Sequence, residues 1–193
     1  VTFEEHLERW QALHGGIDPR GTPMVVPWLR VVHVVAGPLA RLRTPPDAIT
    51  LGAVLLAGTA LLVPAWPAAL LIVLSALLDG LDGAVALLSD RVTARGALLD
   101  TLGDRASDLL FVAALVVAGA PWWLGIACGA GILLLEGQRA WAGSVLTVTV
   151  AERPTRVIAT ALGLVSVPLV GLGVLTAATV VGLLQLRLST RSG

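Results

Sequence analysis

Apolar residues fall into long runs along this chain rather than alternating stripes, a pattern that predicts helices throughout. At the front, Phe3, Leu7, Trp10 and Leu13 recur at helical spacing, with Glu4, Glu5, Glu8 and Arg9 between them. Residues 1–14 therefore read as a short amphipathic surface helix. A Gly/Pro-rich break follows, Gly15 to Pro23. Residues 27–42 set Trp28, Arg30, His33 and Arg41 among Val and Leu, which is too polar to span lipid and suits a helix lying in the interface. The Pro45-Pro46 pair stops it. Six apolar segments come next, near 47–63, 67–88, 94–119, 121–143, 154–168 and 170–187. The last two form one run of about 34 residues, divided at Pro168 because roughly 50 Å of helix exceeds a bilayer.

Composition fits that reading. Of 193 residues, 56% are hydrophobic and only 13% charged. A soluble domain carries about 25% charged residues, so an ordinary globule and a disordered chain are both excluded. The 13 basic residues, all Arg, balance 13 acidic ones, which excludes binding nucleic acid by bulk charge. Cys128, the single cysteine, lies in an apolar run and reads as a small packed residue. Glu4, Glu5 and Glu8 at the front argue against a cleaved signal peptide. The expected architecture is an all-α integral membrane protein with six transmembrane helices and an N-terminal interfacial amphipathic helix. A surface segment, 1–26, precedes one membrane domain, 27–193.

The arginines set the topology. Arg30, Arg41 and Arg43 precede the first span; Arg91 and Arg95 lie between the second and third; Arg153 and Arg156 lie between the fourth and fifth; Arg187 and Arg191 close the chain. The alternate connections, 63–66, 119–123 and 167–171, hold no charge. The positive-inside rule then puts both termini and every Arg-bearing loop in the cytoplasm, with Trp66, Trp122 and Trp123 at the opposite interface.

Acidic residues cluster where the second and third spans meet. Asp79 and Asp82 stand three apart, and Asp100, Asp104 and Asp108 are spaced by four, which lines them along one stripe of a helix. A short connection makes the two spans antiparallel, so both acidic ends share the cytoplasmic side. Carboxylates in a membrane protein cost several kcal/mol each. Hard oxygen donors without neighbouring Cys or clustered His suit Mg²⁺, Mn²⁺ or Ca²⁺ rather than zinc. Four carboxylates can hold two ions, which would clamp a diphosphate. The same residues also fit a cation or proton path, or a buried network of ion pairs. Against a path, the spans turn wholly apolar beyond Asp108 and before Glu136.

Asp79-x-x-Asp82-Gly83-x-x-Ala86, then Gly96-x-x-x-Asp100-x-x-x-Asp104, resembles the signature of the CDP-alcohol phosphotransferase family, D-x-x-D-G-x-x-A-R followed by G-x-x-x-D-x-x-x-D. Pro46-Asp47-Ala48-Ile49-Thr50 is similar to the family's entry to its first span. Glu152-Arg153-Pro154-Thr155-Arg156 resembles a stretch of the actinobacterial phosphatidylinositol-phosphate synthases. The resemblance implies a membrane enzyme that moves a phosphatidyl or other substituted phosphate group from a CDP-linked donor to an alcohol and releases CMP. It implies that Asp79, Asp82, Asp100 and Asp104 hold two Mg²⁺ or Mn²⁺ ions, and that Asp104 is also the general base. Pro46, Asp47, Ala48, Ile49, Gly83 and Thr93 would touch the CDP part of a CDP-diacylglycerol-type donor. A homodimer in the plasma membrane, with its active site facing the cytoplasm, is implied as well. One position departs: the family's Arg after Ala86 is Leu87 here. Arg91 or Arg95 are the candidate replacements, and a weakened homologue is the alternative.

Arg139, Arg153 and Arg156 gather near the same face, and guanidinium groups bind phosphate bidentately. They favour a phosphorylated acceptor, such as inositol phosphate or glycerol phosphate, although arginines at helix ends also fix orientation. Glu136 is expected to pair with Arg139, and Asp108 to pair with Arg105 or support the motif. His6, His14 and His33 show no ligand spacing and read as ordinary surface or interface residues.

Overall fold

The computed structural model describes residues 2–13, 18–21, 25–142 and 149–189. His14, Arg191 and most of the Gly/Pro-rich break lie outside them. The described residues form eight α-helices: α1 (Phe3–Leu13), α2 (Val25–Arg41), α3 (Pro46–Thr59), α4 (Ala65–Leu88), α5 (Ala94–Val117), α6 (Trp122–Ala142), α7 (Arg153–Val165) and α8 (Pro168–Ser189). No strand occurs among them. The division at Pro168 holds: α7 ends at Val165, and Pro168 opens α8. Proline suits that place because the first turn of a helix needs no donor from it.

By length and composition, α4 and α8 can each cross a membrane, and α2 with α3, bent by 119°, makes a third span if the pair counts as one. The remaining helices miss that standard for visible reasons. α7 has 13 residues, about 20 Å of helix against a hydrocarbon core of about 30 Å. α5 is long enough but carries Arg95, Asp100, Asp104, Arg105 and Asp108. Many large apolar side chains nevertheless face outward, among them Leu70 and Leu77 on α4, Ile126 and Leu134 on α6, and Val174 and Leu184 on α8. Exposed apolar faces along long helices are what a lipid solvent calls for.

The chain divides into two compact units, Val1–Ala53 with Leu77–Gly103, and Val54–Ala76 with Asp104–Gly193. In the first, Val32 and Ala36 of α2, Ile49 of α3 and Leu81, Ala84 and Val85 of α4 form the core. The second is built on Ile72, Phe111, Leu115, Cys128, Ile132, Leu164, Leu172 and Leu175. Cys128 is thus a packed core residue, as expected. α7 and α8 cross at two glycines: a Cβ on Gly163 would meet Gly171 Cα at 2.7 Å, and one on Gly171 would meet Ala159 O at 2.7 Å. Small residues are what lets helices in lipid approach this closely.

The reading of the histidines as ordinary surface or interface residues needs correction at His6. His6 is buried, and its Nδ1 lies 3.1 Å from Nδ1 of His33, so one ring donates to the other. Phe3 packs edge-on against both rings, and the Arg30 guanidinium lies 5.3 Å from the centre of Phe3. Burial, and then the charges of His33 and Arg9, hold the His6 imidazole below its ordinary value. Sequence spacing hid this pair because the two residues lie on different helices.

Candidate active site

A cleft of about 540 Å³ opens in the first unit, lined by the start of α3, the last turns of α4, the 89–93 connection and the start of α5. That is an ordinary size for a small-ligand site. Of the six residues expected to touch the donor, Pro46, Asp47, Gly83 and Thr93 line it. Ile49 instead packs into the core of the unit, and Ala48 sits in the first turn of α3, its amide donating to Pro45 O at 3.1 Å. Asp82 and Asp100 of the acidic motif line the cleft as well.

Each wall has a local cause. Thr93 caps α5: the Gly96 amide donates to Thr93 Oγ1 at 3.0 Å, the position a capping threonine serves. At Gly96 a Cβ would stand 3.1 Å from that hydroxyl, so a larger residue would press on the cap. α4 ends with Asp90 in the left-handed region, φ 54°, and the Arg91 amide reaches back to Ala86 O at 2.9 Å. Aspartate is among the few residues that tolerate this helix-ending conformation. The connection that lines the cleft is therefore fixed at both ends.

The buried Asp82 is oriented by two donors. Thr50 Oγ1 donates to Oδ2 at 2.5 Å, and the Gly83 amide to Oδ1 at 2.6 Å. Thr50 marked the entry to the first span, but nothing in its spacing announced a bond to a residue 32 positions away. Carboxylate oxygens of Asp79 and Asp100 lie within 4.8 Å of one another. Two hard oxygen donors from two helices, with the fixed Asp82 one turn further along α4, match the chemistry of a small divalent cation. Asp104 follows Asp100 by one turn of α5, on the same stripe.

Leu87, which replaces the motif's arginine, is buried. Of the two candidate replacements, Arg91 lines the cleft and donates to Arg43 O at 3.1 Å, whereas Arg95 is not among the lining residues. A third arginine escaped the sequence reading. Arg9 of α1 reaches α4, donating to Leu87 O at 2.8 Å and to Asp90 Oδ1 at 2.7 Å.

In the second unit the acids meet arginines. Arg153 Nη1 donates to Asp104 Oδ1, and Arg105 lies 3.4 Å from Asp104 Oδ2. Buried Arg156 donates to both Asp108 and Glu136, and its Nε donates to Ala151 O at 2.8 Å. Arg105 also approaches Asp108 at 3.4 Å and Glu136 at 3.3 Å. Arg139 pairs with Glu136 at 3.4 Å and with Glu152, and donates to Thr149 Oγ1 at 2.7 Å. Both expected pairs, Glu136 with Arg139 and Asp108 with Arg105, are present. The three arginines of the expected phosphate group all lie in this unit, and each is engaged by a carboxylate.

Comparison with known proteins agrees with the motif. Residues 43–189 match the CDP-alcohol phosphatidyltransferase family. The archaetidylinositol phosphate synthase of Aeropyrum pernix is 42% identical over 117 residues, 58% of this chain and 59% of that protein. The chain thus spans about three fifths of that relative's length. The crystal structure of Mycobacterium tuberculosis phosphatidylinositol phosphate synthase in complex with manganese and citrate shares the fold, with a TM-score of 0.63 at 23% identity, covering 80% of this chain and 86% of that one. With the family match reaching from the turn after α2 through α8, the chain belongs to the CDP-alcohol phosphatidyltransferase family.

Proposed function

We propose that the protein transfers a phosphatidyl or similar substituted phosphate group from a CDP-linked lipid to a phosphorylated alcohol, releasing CMP, as a step of phospholipid synthesis. The observation that carries this reading is the cleft of the first unit, which gathers Asp47, Asp82, Gly83, Thr93, Gly96 and Asp100 around one space. The two relatives, by their names synthases of inositol phosphate lipids, favour an inositol phosphate acceptor.

In this reading Pro46, Asp47, Gly83 and Thr93 hold the nucleotide, with Ala48 and Ile49 supporting the turn from beneath. Asp79, Asp82, Asp100 and Asp104 are the ligand set for two Mg²⁺ or Mn²⁺ ions. Such ions, when bound, neutralise the diphosphate and polarise the phosphorus under attack. Thr50 and the Gly83 amide keep Asp82 aimed. Asp104 is the general base: it takes the proton of the acceptor hydroxyl as that oxygen bonds to the lipid phosphorus, and the bond to CMP breaks with its electron pair on the CMP oxygen. Arg153 and Arg139 meet the acceptor's phosphate. Arg156, enclosed by Asp108 and Glu136, stiffens the ground beneath them. Positioning supplies much of the remaining rate.

The membrane arrangement belongs to the same proposal: one domain, 27–193, with six spans in the plasma membrane, α1 and α2 at the interface, the site on the cytoplasmic side, and a homodimer as the assembly. Polar α5 and short α3 and α7 are admissible as spans where neighbouring helices shield them.

Purified protein in CDP-diacylglycerol vesicles with Mg²⁺ should release CMP when given inositol phosphate or glycerol phosphate, with label passing into lipid. No product with either acceptor, under Mg²⁺ or Mn²⁺, would overturn the reading.

A further inference from the structure

The end of α4 has no cation of its own. A helix C-terminus carries partial negative charge and leaves its last carbonyls without partners inside the helix. No basic residue stands in the last turn of α4, and position 87 is a buried leucine. The cation arrives from another helix. Arg9 Nη1 donates to Leu87 O at 2.8 Å and to Asp90 Oδ1 at 2.7 Å, so one nitrogen joins the helix end to the connection beyond it. The faces of α1 suit this delivery: Glu4, Glu5 and Glu8 are exposed, His6 and Leu7 are buried, and Arg9 is half-buried against α4.

What Arg9 meets there is part of the cleft. Asp90 lines it, together with Asp47, Asp82 and Asp100, and Arg91 is the one arginine among the lining residues. An anionic ligand entering so acidic a space is repelled by each acid left unanswered. In the reading above, metal ions answer Asp82 and Asp100, and the nucleotide meets Asp47. Asp90 lies outside that ligand set, and it is Arg9 that answers it.

We propose that Arg9 is a positioning residue of the donor cleft, acting through Asp90: fixed on the end of α4, it cancels that carboxylate's charge and so admits the diphosphate of a CDP-linked donor. This rests on the reading of the cleft as the CDP site. An exposed ion pair adds little to stability, because two side chains must be ordered to make it. Here a backbone carbonyl already holds the guanidinium, and the effect falls on a third charge, that of the ligand. α1 thereby belongs to the donor site, although its described residues do not line the cleft.

The test is CDP binding to the full chain in detergent with saturating Mg²⁺, followed by isothermal titration calorimetry at low ionic strength. Arg9→Gln should weaken CDP binding about fivefold, and Asp90→Asn alone should tighten it by a similar factor. The second comparison stands even if Arg9→Gln recovers poorly. Arg9→Gln combined with Asp90→Asn should return to within about twofold of the unaltered protein, because the two residues act as a pair. Arg9→Lys, which keeps the charge and can donate to both oxygens, should also stay within about twofold. Asp90 keeps 77% of its side chain exposed, so every difference should shrink below about twofold near 1 M salt. In transfer, Arg9→Gln should raise the donor KM and leave the acceptor KM in place, a split that a general loss of fold would not produce. Unchanged CDP binding in Asp90→Asn, or a loss in Arg9→Gln that Asp90→Asn does not relieve, would overturn the proposal and leave the cleft a CDP site. CDP binding that is absent from the unaltered protein, or indifferent to Asp100→Asn, would overturn both.

Discussion

Carboxylates are managed in two ways in this molecule. In the first unit Asp82 is held by a hydroxyl and an amide, and with Asp100 it borders an open cleft. In the second unit Asp108 and Glu136 flank Arg156, with Asp108 and Arg156 both buried. Both arrangements put acids where they are costly, but the second answers them with arginines, and the first answers Asp82 with neutral donors. The first leaves its acids beside space sized for a ligand. In the proposed reading, the contrast separates an acidic group kept for chemistry from one kept for architecture. Asp104 lies at the second unit's margin and shares both characters.

That contrast can be broken by substitution. The largest effect is expected from Asp100→Asn, which should lower transfer by about a thousandfold or more, roughly 4 kcal/mol, while leaving thermal unfolding nearly unchanged. An equal loss of thermal stability would erase the distinction. Arg156→Ala should do the reverse. Removing one partner of a buried ion pair typically costs about 3–5 kcal/mol, read as a lower unfolding temperature and poor recovery from detergent. At the α7–α8 crossing, Gly163→Val should be as damaging to recovery, because the added carbons have backbone in their way. Gly83→Ala sharpens the comparison on the side of the cleft. Its Cβ would meet no atom within 4 Å, so it should fold normally and raise the donor KM by a few-fold through lost space alone.

The smallest effect is one of pH. His6 is held below its ordinary imidazole value in the folded protein, so acid favours the form in which it is free. The contribution is complete above the ordinary value and declines as pH falls from there through the folded one. Protection of the α1 amides from hydrogen exchange, corrected for the intrinsic rate at each pH, should therefore fall on acidification below about pH 6.5, and His6→Leu should flatten the dependence. Unchanged protection from pH 7 to 5 would show that the histidine pair does not anchor α1.

Much of this was legible in the residues, and the reason is periodicity. Helix starts were marked by Pro46 and Pro168, the apolar runs gave six of the eight helices to within a few residues, and the aspartate spacing named the stripe on α5. What spacing cannot report is a side chain meeting a distant one. Arg9 on Leu87 O, Thr50 on Asp82, His6 on His33 and Arg153 on Asp104 join residues 27 to 78 positions apart. The six-span count leaned on hydropathy where charge was interleaved: α5 devotes one stripe to acids, and only its other faces are apolar.

The composition of α7 leaves it dependent on its neighbours. Two cations in its first turn and a length of 13 residues make it a poor match for lipid alone. Asp104 and Asp108 of α5 and Glu136 of α6 answer its arginines, and Gly171 of α8 lies against its Gly163. A helix of this kind draws its stability from three others rather than from its own sequence.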